Sequence, residues 1–298
     1  SNVPGCALAI ENVFIQAGFP AHVFQTILCD SKQVAEIIKS PVIKAVTLTG
    51  SEGAGAAVAS QAGREIKKTV LELGGSDPFI ILSDADLEQA AEVAVQSRMI
   101  NSGQSCIAAK RFIVEEKVYD SFIKLFKAKV SRLIVGDPMD EATEVGPMAR
   151  EDLAQEIMRQ IKDSVQKGAE ILVGGDRPAL KGAYINPTIL VNVKKGVPAY
   201  EEEIFGPVAS IIKVKDVQEA IVVANDSSFG LGASIWTKDS VKARELARQI
   251  EAGSVFVNGM VKSDPRLPFG GIKKSGYGRE LSYQGIREFV NIKTIWIK

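Results

Sequence analysis

Lys44-Ala45-Val46-Thr47-Leu48-Thr49-Gly50-Ser51-Glu52-Gly53-Ala54-Gly55 is the stretch on which the fold turns. Its first half is a short apolar, β-branched run that reads as a strand, and the glycines after it open a helix predicted to run to about Lys67. Strand, glycine-rich turn and helix together form a receptor for a phosphate or pyrophosphate. Glycine lets the backbone approach closely, and the helix start offers unpaired N–H groups at the positive end of its dipole. The spacing departs from GxGxxG, so a tight turn packed against a neighbour competes with that reading.

Working outward, the same alternation recurs. Upstream, residues 3–17 carry apolar positions at helical spacing, with Pro4 in the first turn and Gly18 as a stop. Residues 23–29 read as a strand, and Ser31 is placed to cap a helix ending at Lys39, before Pro41. Downstream, strands are expected over 69–73, 79–82 and 110–114, with helices over 86–100, 118–134 and 151–166. Further strands follow over 184–191, 210–214, 233–236 and 253–259, with helices over 217–224 and 241–250. Residues 289–296 read as a last strand. Alternating β and α units predict an α/β fold, with a parallel sheet covered by helices on its faces.

Composition narrows the function. The 298 residues carry 36 Lys and Arg against 36 Asp and Glu, and no apolar run long enough to span a bilayer. Balanced charge without a basic block predicts no nucleic-acid partner and no membrane partner. No signal-peptide pattern opens the chain, so a cytoplasmic location is expected. The three cysteines, Cys6, Cys29 and Cys106, lie far apart without CxxC spacing, so neither a metal site nor a disulfide framework is expected. A single histidine, His22, leaves little room for Cys-His or Ser-His chemistry.

Two side chains stand out at element ends. Asn101-Ser102-Gly103-Gln104-Ser105-Cys106 is a polar, glycine-containing turn that delivers one cysteine after an apolar helix. Small residues there let backbone N–H groups approach the sulfur and any oxyanion formed after attack, which makes Cys106 a candidate nucleophile; a buried structural cysteine is the competing reading. Glu72 ends a strand and is followed by Gly74 and Gly75, where open α/β sheets place ligands; a solvent-facing carboxylate is the alternative. With so little histidine, a carboxylate is the expected base for Cys106.

Taken in order, Thr49-Gly50-Ser51 with Gly53, Leu71-Glu72-Leu73-Gly74-Gly75, Gly103-Gln104-Ser105-Cys106, Glu203-Ile204-Phe205-Gly206-Pro207, and Pro268-Phe269-Gly270-Gly271 through Gly278-Arg279-Glu280 resemble the motifs of the aldehyde dehydrogenase superfamily. The similarity covers essentially the whole chain. Among subfamilies the chain resembles the bacterial NAD(P)-dependent succinate-semialdehyde dehydrogenases, through Ala108-Ala109-Lys110-Arg111-Phe112 and Ser263-Asp264-Pro265-Arg266. The resemblance implies an aldehyde substrate, NAD or NADP as cofactor, and catalysis by Cys106 with Glu72. Gly50, Ser51, Gly74, Glu203 and Phe205 would bind the cofactor. Asn258 and Phe269 would line the substrate tunnel, and Ser263 with Arg266 would receive a substrate carboxylate. Ile100 stands where some members of that specificity carry arginine, which departs from the subfamily's binding mode.

The resemblance also implies a fold of two parts, a partial Rossmann-like cofactor domain over residues 1–74 and an α/β catalytic domain over 75–286. A strand over 287–298 would pair with a neighbouring subunit in a homodimer or homotetramer. Family members carry an adenosine-binding lysine and an oxyanion-hole asparagine upstream of the segment that matches Ser1, so the chain is expected to be a C-terminal fragment. A redox-inactive piece with only thioester or esterase chemistry, or an oligomerising module, stays open beside the dehydrogenase reading.

Overall fold

The computed structural model describes residues 3–298. The chain divides into two compact units, one up to residue 46 together with 56–69, the other formed by 47–55 and 70–298.

In the smaller unit, helix Pro4–Gln16 begins on its proline as expected. Helix Ser31–Lys39 is capped by Asp30 rather than Ser31. The Asp30 carboxylate accepts from the backbone N–H of Lys32 and Gln33, and the Gln33 side chain accepts from the Asp30 N–H, a reciprocal capping box. At the other end of that helix the Lys67 ammonium donates to the carbonyls of Ile38 and Ser40. The strand expected over 23–29 is not formed. His22 enters the left-handed region at φ 71°, and Thr26 is instead tied to helix Pro4–Gln16 through the Glu11 carboxylate and the Ala7 carbonyl, both at 3.0 Å. Backbone held by such local partners has no ladder to join.

The larger unit is organised on a seven-stranded sheet. Its order is Ser254–Val257, Gly232–Trp236, Pro78–Ile81, Arg111–Glu115, Val208–Val214, Thr188–Val191 and Glu170–Val173. Every neighbouring pair is parallel except the last. A parallel sheet is covered on both faces, so its strands are apolar throughout, and alternate residues feed two cores. Ile80, Leu82, Ile113, Ile212 and Ile235 face helices Glu151–Gln166, Val217–Asn225 and Ser240–Ala247. Phe79, Ile81, Phe112, Val114 and Trp236 face helices Leu87–Met99 and Tyr119–Val130. On that second face Phe79, Phe112 and Phe126 pack ring to ring with centroids 5.2–5.3 Å apart.

A second, three-stranded sheet has the order Ala45–Thr49, Lys68–Glu72, Gly276–Tyr277. The last pair is antiparallel, with Gly276 opposite Glu72. Gly276 sits at φ 109°, and a Cβ there would stand 1.9 Å from the Leu71 carbonyl oxygen, so the strand of the late glycine loop reaches Glu72 only as glycine. The expected strand over 289–296 is not formed within the chain: helix Ser282–Glu288 ends and the remaining residues are exposed. Backbone with no neighbouring strand has no ladder to make.

Arg111 joins the sheet to a helix end. It is 1% exposed, and its guanidinium donates to the carbonyls of Ser76, Val223 and Ala224 at 2.8–2.9 Å, the last two in the final turn of helix Val217–Asn225. Burial pulls its pKa down to about 10. Replacing it with methionine strands buried carbonyls without donors, and Arg111→Met is expected to lose about 3–5 kcal/mol of stability in urea unfolding. A loss under about 1 kcal/mol would show that water satisfies those carbonyls instead.

Candidate active site

The loops that matter lie at the N-terminal edge of the seven-stranded sheet, since Cys106 precedes strand Arg111–Glu115 and Glu203 precedes strand Val208–Val214. Open parallel sheets more often use the opposite edge. Ile100–Gly103 closes helix Leu87–Met99 as a short 3-10 turn in which Asn101, Ser102 and Gly103 all take positive φ. The turn is held from several sides. Arg98 donates to the Gly103 carbonyl at 2.7 Å, Ser102 to the Gly146 carbonyl at 3.1 Å, and the Gln104 oxygen accepts the Ala149 N–H at 2.8 Å. Arg98 is fully buried, and burial drives its pKa down to about 9.

Cys106 is partly buried at the end of this turn, and Cys6 and Cys29 are exposed. Burial raises the thiol pKa, the Lys110 ammonium opposes that shift, and the carboxylates of Asp77 and Glu203 reinforce it. Gly75 backs onto the loop, for a Cβ there would stand 2.8 Å from the Cys106 carbonyl oxygen.

Glu72 is 4% exposed, and neither carboxylate oxygen has a hydrogen-bond partner among the described residues. Burial, with a smaller push from the Glu280 carboxylate and an opposing pull from Arg279, lifts its pKa to about 8. Gly270, at φ 154°, lies against it, and a side chain there would stand 2.8 Å from Oε1. A buried acid without a partner and with a pKa near neutrality is poised to exchange a proton with something bound beside it.

Glu203 is clamped by backbone and charge. Its Oε1 accepts the Gly75 N–H at 2.9 Å and lies 3.5 Å from the Lys110 ammonium, and a Cβ at Gly74 would stand 2.3 Å from Oε2. Gly74, Gly75, Glu203 and the Cys106 loop are therefore neighbours. The Phe205 ring is 37% exposed, with the Lys110 nitrogen 6.0 Å from its centroid. Gly50 and Ser51 precede helix Glu52–Arg64, and the Ser51 hydroxyl accepts the Ala54 N–H at 3.3 Å. A cleft is lined by Ser51, Glu52, Gly53, Gln160, Glu203 and Lys274.

The remaining expected residues are more peripheral. Asn258 spends its amide on the Thr237 backbone, accepting its N–H at 3.1 Å and donating to its carbonyl at 2.9 Å. Phe269 is half-buried and bridges Glu280 by backbone hydrogen bonds. Ser263 is exposed. The Arg266 side chain is 85% exposed and holds Asp264 through two side-chain hydrogen bonds at 2.6–2.9 Å. Lys110, Asp77 and Arg98 were not singled out from the sequence. The available signal was a pair of adjacent cations, Lys110-Arg111, opening an apolar strand that leaves no room for solvated side chains.

A doubly covered parallel sheet brings a strained thiol turn and a clamped carboxylate to one edge, and a buried carboxyl ends a strand of the smaller sheet in the same unit. The chain belongs to the aldehyde dehydrogenase family, whose model matches residues 1–295. It is 51% identical over 297 residues to succinate-semialdehyde dehydrogenase [NADP(+)] 1 of Mycobacterium tuberculosis, covering 100% of this chain and 65% of that protein. It is 53% identical over 296 residues to an aldehyde dehydrogenase of Paenarthrobacter nicotinovorans, again covering 65% of the relative and 99% of this chain. The crystal structure of succinic semialdehyde dehydrogenase from Streptococcus pyogenes in complex with NADP+ superposes with a TM-score of 0.97 at 43% identity, over 99% of this chain and 65% of that one. The chain thus spans about two-thirds or slightly less of its relatives' length, at 65%. Among the described residues no helix is long and apolar enough to cross a membrane.

Proposed function

We propose that this chain carries the thiol and carboxyl chemistry of an NAD(P)-dependent aldehyde dehydrogenase, with succinate semialdehyde or a similar short ω-carboxy aldehyde as substrate. The observation that carries the reading is Glu72, a buried carboxyl with no partner at either oxygen among the described residues and a pKa lifted to about 8. Relatives named as succinate-semialdehyde dehydrogenases support the substrate class.

In this reading the Cys106 thiolate attacks the aldehyde carbon, a C–S bond forms, and the carbonyl oxygen becomes an alkoxide facing backbone N–H groups of the turn. The carbon then gives up its hydride, leaving a thioester on Cys106. Glu72 takes a proton from water as the water attacks the thioester carbon; the C–S bond breaks, the acid leaves and the thiolate is restored. A nicotinamide cofactor held by the residues named below would supply the two-electron acceptor for that hydride.

The residues present fit such a cofactor. Glycine at position 74 leaves the Glu203 carboxylate free of a side chain that would cover it, and the Phe205 ring presents an exposed face. Gly50 and Ser51 lead into a helix start suited to phosphate oxygens, and Glu203 suits a ribose hydroxyl. Residues 1–74 are then the C-terminal part of the NAD(P)-binding domain, 75–286 the catalytic domain, and 287–298 a strand for a partner subunit in a homodimer or homotetramer. Ser263 and Arg266 are the candidates for the far carboxylate, Arg266 exchanging Asp264 for substrate; Asn258 and Phe269 line the approach.

Succinate semialdehyde presented with NAD or NADP is expected to yield reduced nicotinamide, followed by its absorbance, with a loss of about 10⁴-fold or more in Cys106→Ala. Retention of a tenth of the rate in that variant would sink the reading. Activity toward an activated ester but not toward the aldehyde would favour a second one, thioester chemistry alone, since Cys106 and Glu72 both lie in the larger unit.

A further inference from the structure

Lys110 has no part in the chemistry above, yet it is the most heavily engaged side chain beneath the nucleophile turn. It is 2% exposed. Its ammonium donates to the carbonyls of Ser105 at 3.2 Å, Cys106 at 3.0 Å and Ala108 at 3.1 Å. It also lies 3.5 Å from Glu203 Oε1, the same oxygen that accepts the Gly75 N–H. An ammonium has three donors and no acceptor, so these carbonyls and the carboxylate account for what it offers.

The arrangement has a consequence for the other side of the turn. Among the described residues no peptide bond is cis, and in a trans peptide the C=O and the following N–H point in opposite directions. The Ser105 carbonyl shares its peptide unit with the Cys106 N–H, and the Cys106 carbonyl shares its unit with the Ile107 N–H. Aiming both carbonyls at Lys110 turns both N–H groups away from it. The Ile107 N–H does face the Cys106 sulfur. Successive N–H groups turned to one side make a small anion-binding nest.

We infer that Lys110 is a positioning residue: its ammonium gathers the carbonyls of residues 105, 106 and 108, which turns the N–H groups of Cys106 and Ile107 toward the sulfur and the oxyanion it generates, and ties the turn to the Glu203 carboxylate. The inference rests on the proposed role of Cys106 as nucleophile. Lys110 holds charge where the thiolate needs it, and two peptide dipoles where the alkoxide needs them. The charges acting on the thiol are those of Lys110, Asp77 and Glu203, and those acting on the ammonium are Glu203, Arg98, Asp77 and Cys106. The Lys110 charge favours the thiolate, and the two carboxylates oppose it. Arg279 acts on Glu72 instead.

The test needs neither aldehyde nor cofactor. The whole chain and its variants are alkylated with iodoacetamide across a pH series, and modification is read separately at each cysteine by mass spectrometry. The exposed Cys6 and Cys29 serve as internal references. In Lys110→Met the midpoint at Cys106 is expected to rise by about one pH unit and its rate near pH 8 to fall about tenfold, with both reference cysteines unmoved. Lys110→Gln keeps amide donors for part of the carbonyl set without the charge, and is expected to show a smaller shift; it decides the matter if the methionine variant does not fold. A Cys106 profile that stays in place in a folded variant overturns the proposal. So does alkylation that is faster at every pH with no change of midpoint, since Lys110 would then merely pack the turn. If the midpoint shifts while the parent chain gives no Cys106-dependent turnover, the dehydrogenase reading falls and the role of Lys110 stands.

Discussion

Replacing Glu72 by glutamine is expected to trap the chain as an acyl-enzyme and, at the same time, to make it more stable. Given an activated ester such as p-nitrophenyl acetate, Cys106 acylates in both parent and variant. The thioester persists in Glu72→Gln, because no carboxylate takes the proton from the attacking water; its breakdown should slow by about 10²–10⁴-fold. Mass spectrometry of the quenched protein reads the acyl group on Cys106 directly. In the parent, breakdown should rise with pH through a midpoint near 8, where Glu72 loses its proton, and this rise should vanish in the variant. Equal thioester lifetimes in parent and variant would remove Glu72 from the mechanism.

The stability change follows from the same burial. The carboxyl titrates near 4.5 when unperturbed and near 8 in the folded chain. Between those values the native state keeps a proton that the unfolded state has released, so folding weakens as pH rises through that window. Below about pH 4 both states are protonated and the term disappears. Glutamine has no such slope. The difference in melting temperature, variant minus parent, should be near zero at about pH 4, grow through pH 8 and then level off. A gap of constant size would tie the effect to packing rather than to charge. A residue whose removal stabilises the fold but stops a reaction is held there for the reaction.

Much of the sheet was legible because its strands are buried on both faces and leave unbroken apolar runs. Pro78–Ile81, Arg111–Glu115 and Gly232–Trp236 fall within two residues of their expected bounds. Helix Glu151–Gln166 matches residue for residue, since its apolar stripe is narrow and a glycine at φ 99° follows it at position 168. Edge elements were harder. Glu170–Val173 is a half-exposed antiparallel edge strand whose pattern carries little signal, and residues 23–29 have strand-like composition but no neighbour to pair with. In the site, Cys106 and Glu72 could be picked out because each ends an element beside glycines. Lys110 could not. In a linear reading a lysine at a strand start is a solvated cation, and only the fold of residues 105–108 over it turns it into a donor to their carbonyls.

Gly103 shows how closely the two site loops depend on each other, and Gly103→Ala should damage stability and catalysis together. The residue sits at φ 76°, and an added Cβ would stand 2.2 Å from the carbonyl oxygen of Gly206 and 2.3 Å from its carbon. Neither side can yield cheaply. Gly103 is pinned by Arg98 at its own carbonyl, while the Gly206 carbonyl accepts the Val208 N–H at 2.7 Å and the Pro207 carbonyl accepts the Thr188 N–H at 2.8 Å. Strained backbone plus a backbone clash is expected to cost about 3–5 kcal/mol. Gly196→Ala is the control, because that glycine also has positive φ, at 88°, but nothing within 4 Å of a would-be Cβ. It should lose only about 1 kcal/mol. The difference between the two in urea unfolding isolates the contact between the turn of Cys106 and the loop of Glu203. Whatever Gly103→Ala protein remains folded should hold those loops apart by a fraction of an ångström or more, and Cys106 acylation should fall by about 10²-fold. Equal losses in the two variants would mean that the loops part freely, and that the nucleophile does not depend on the carboxylate loop for its position.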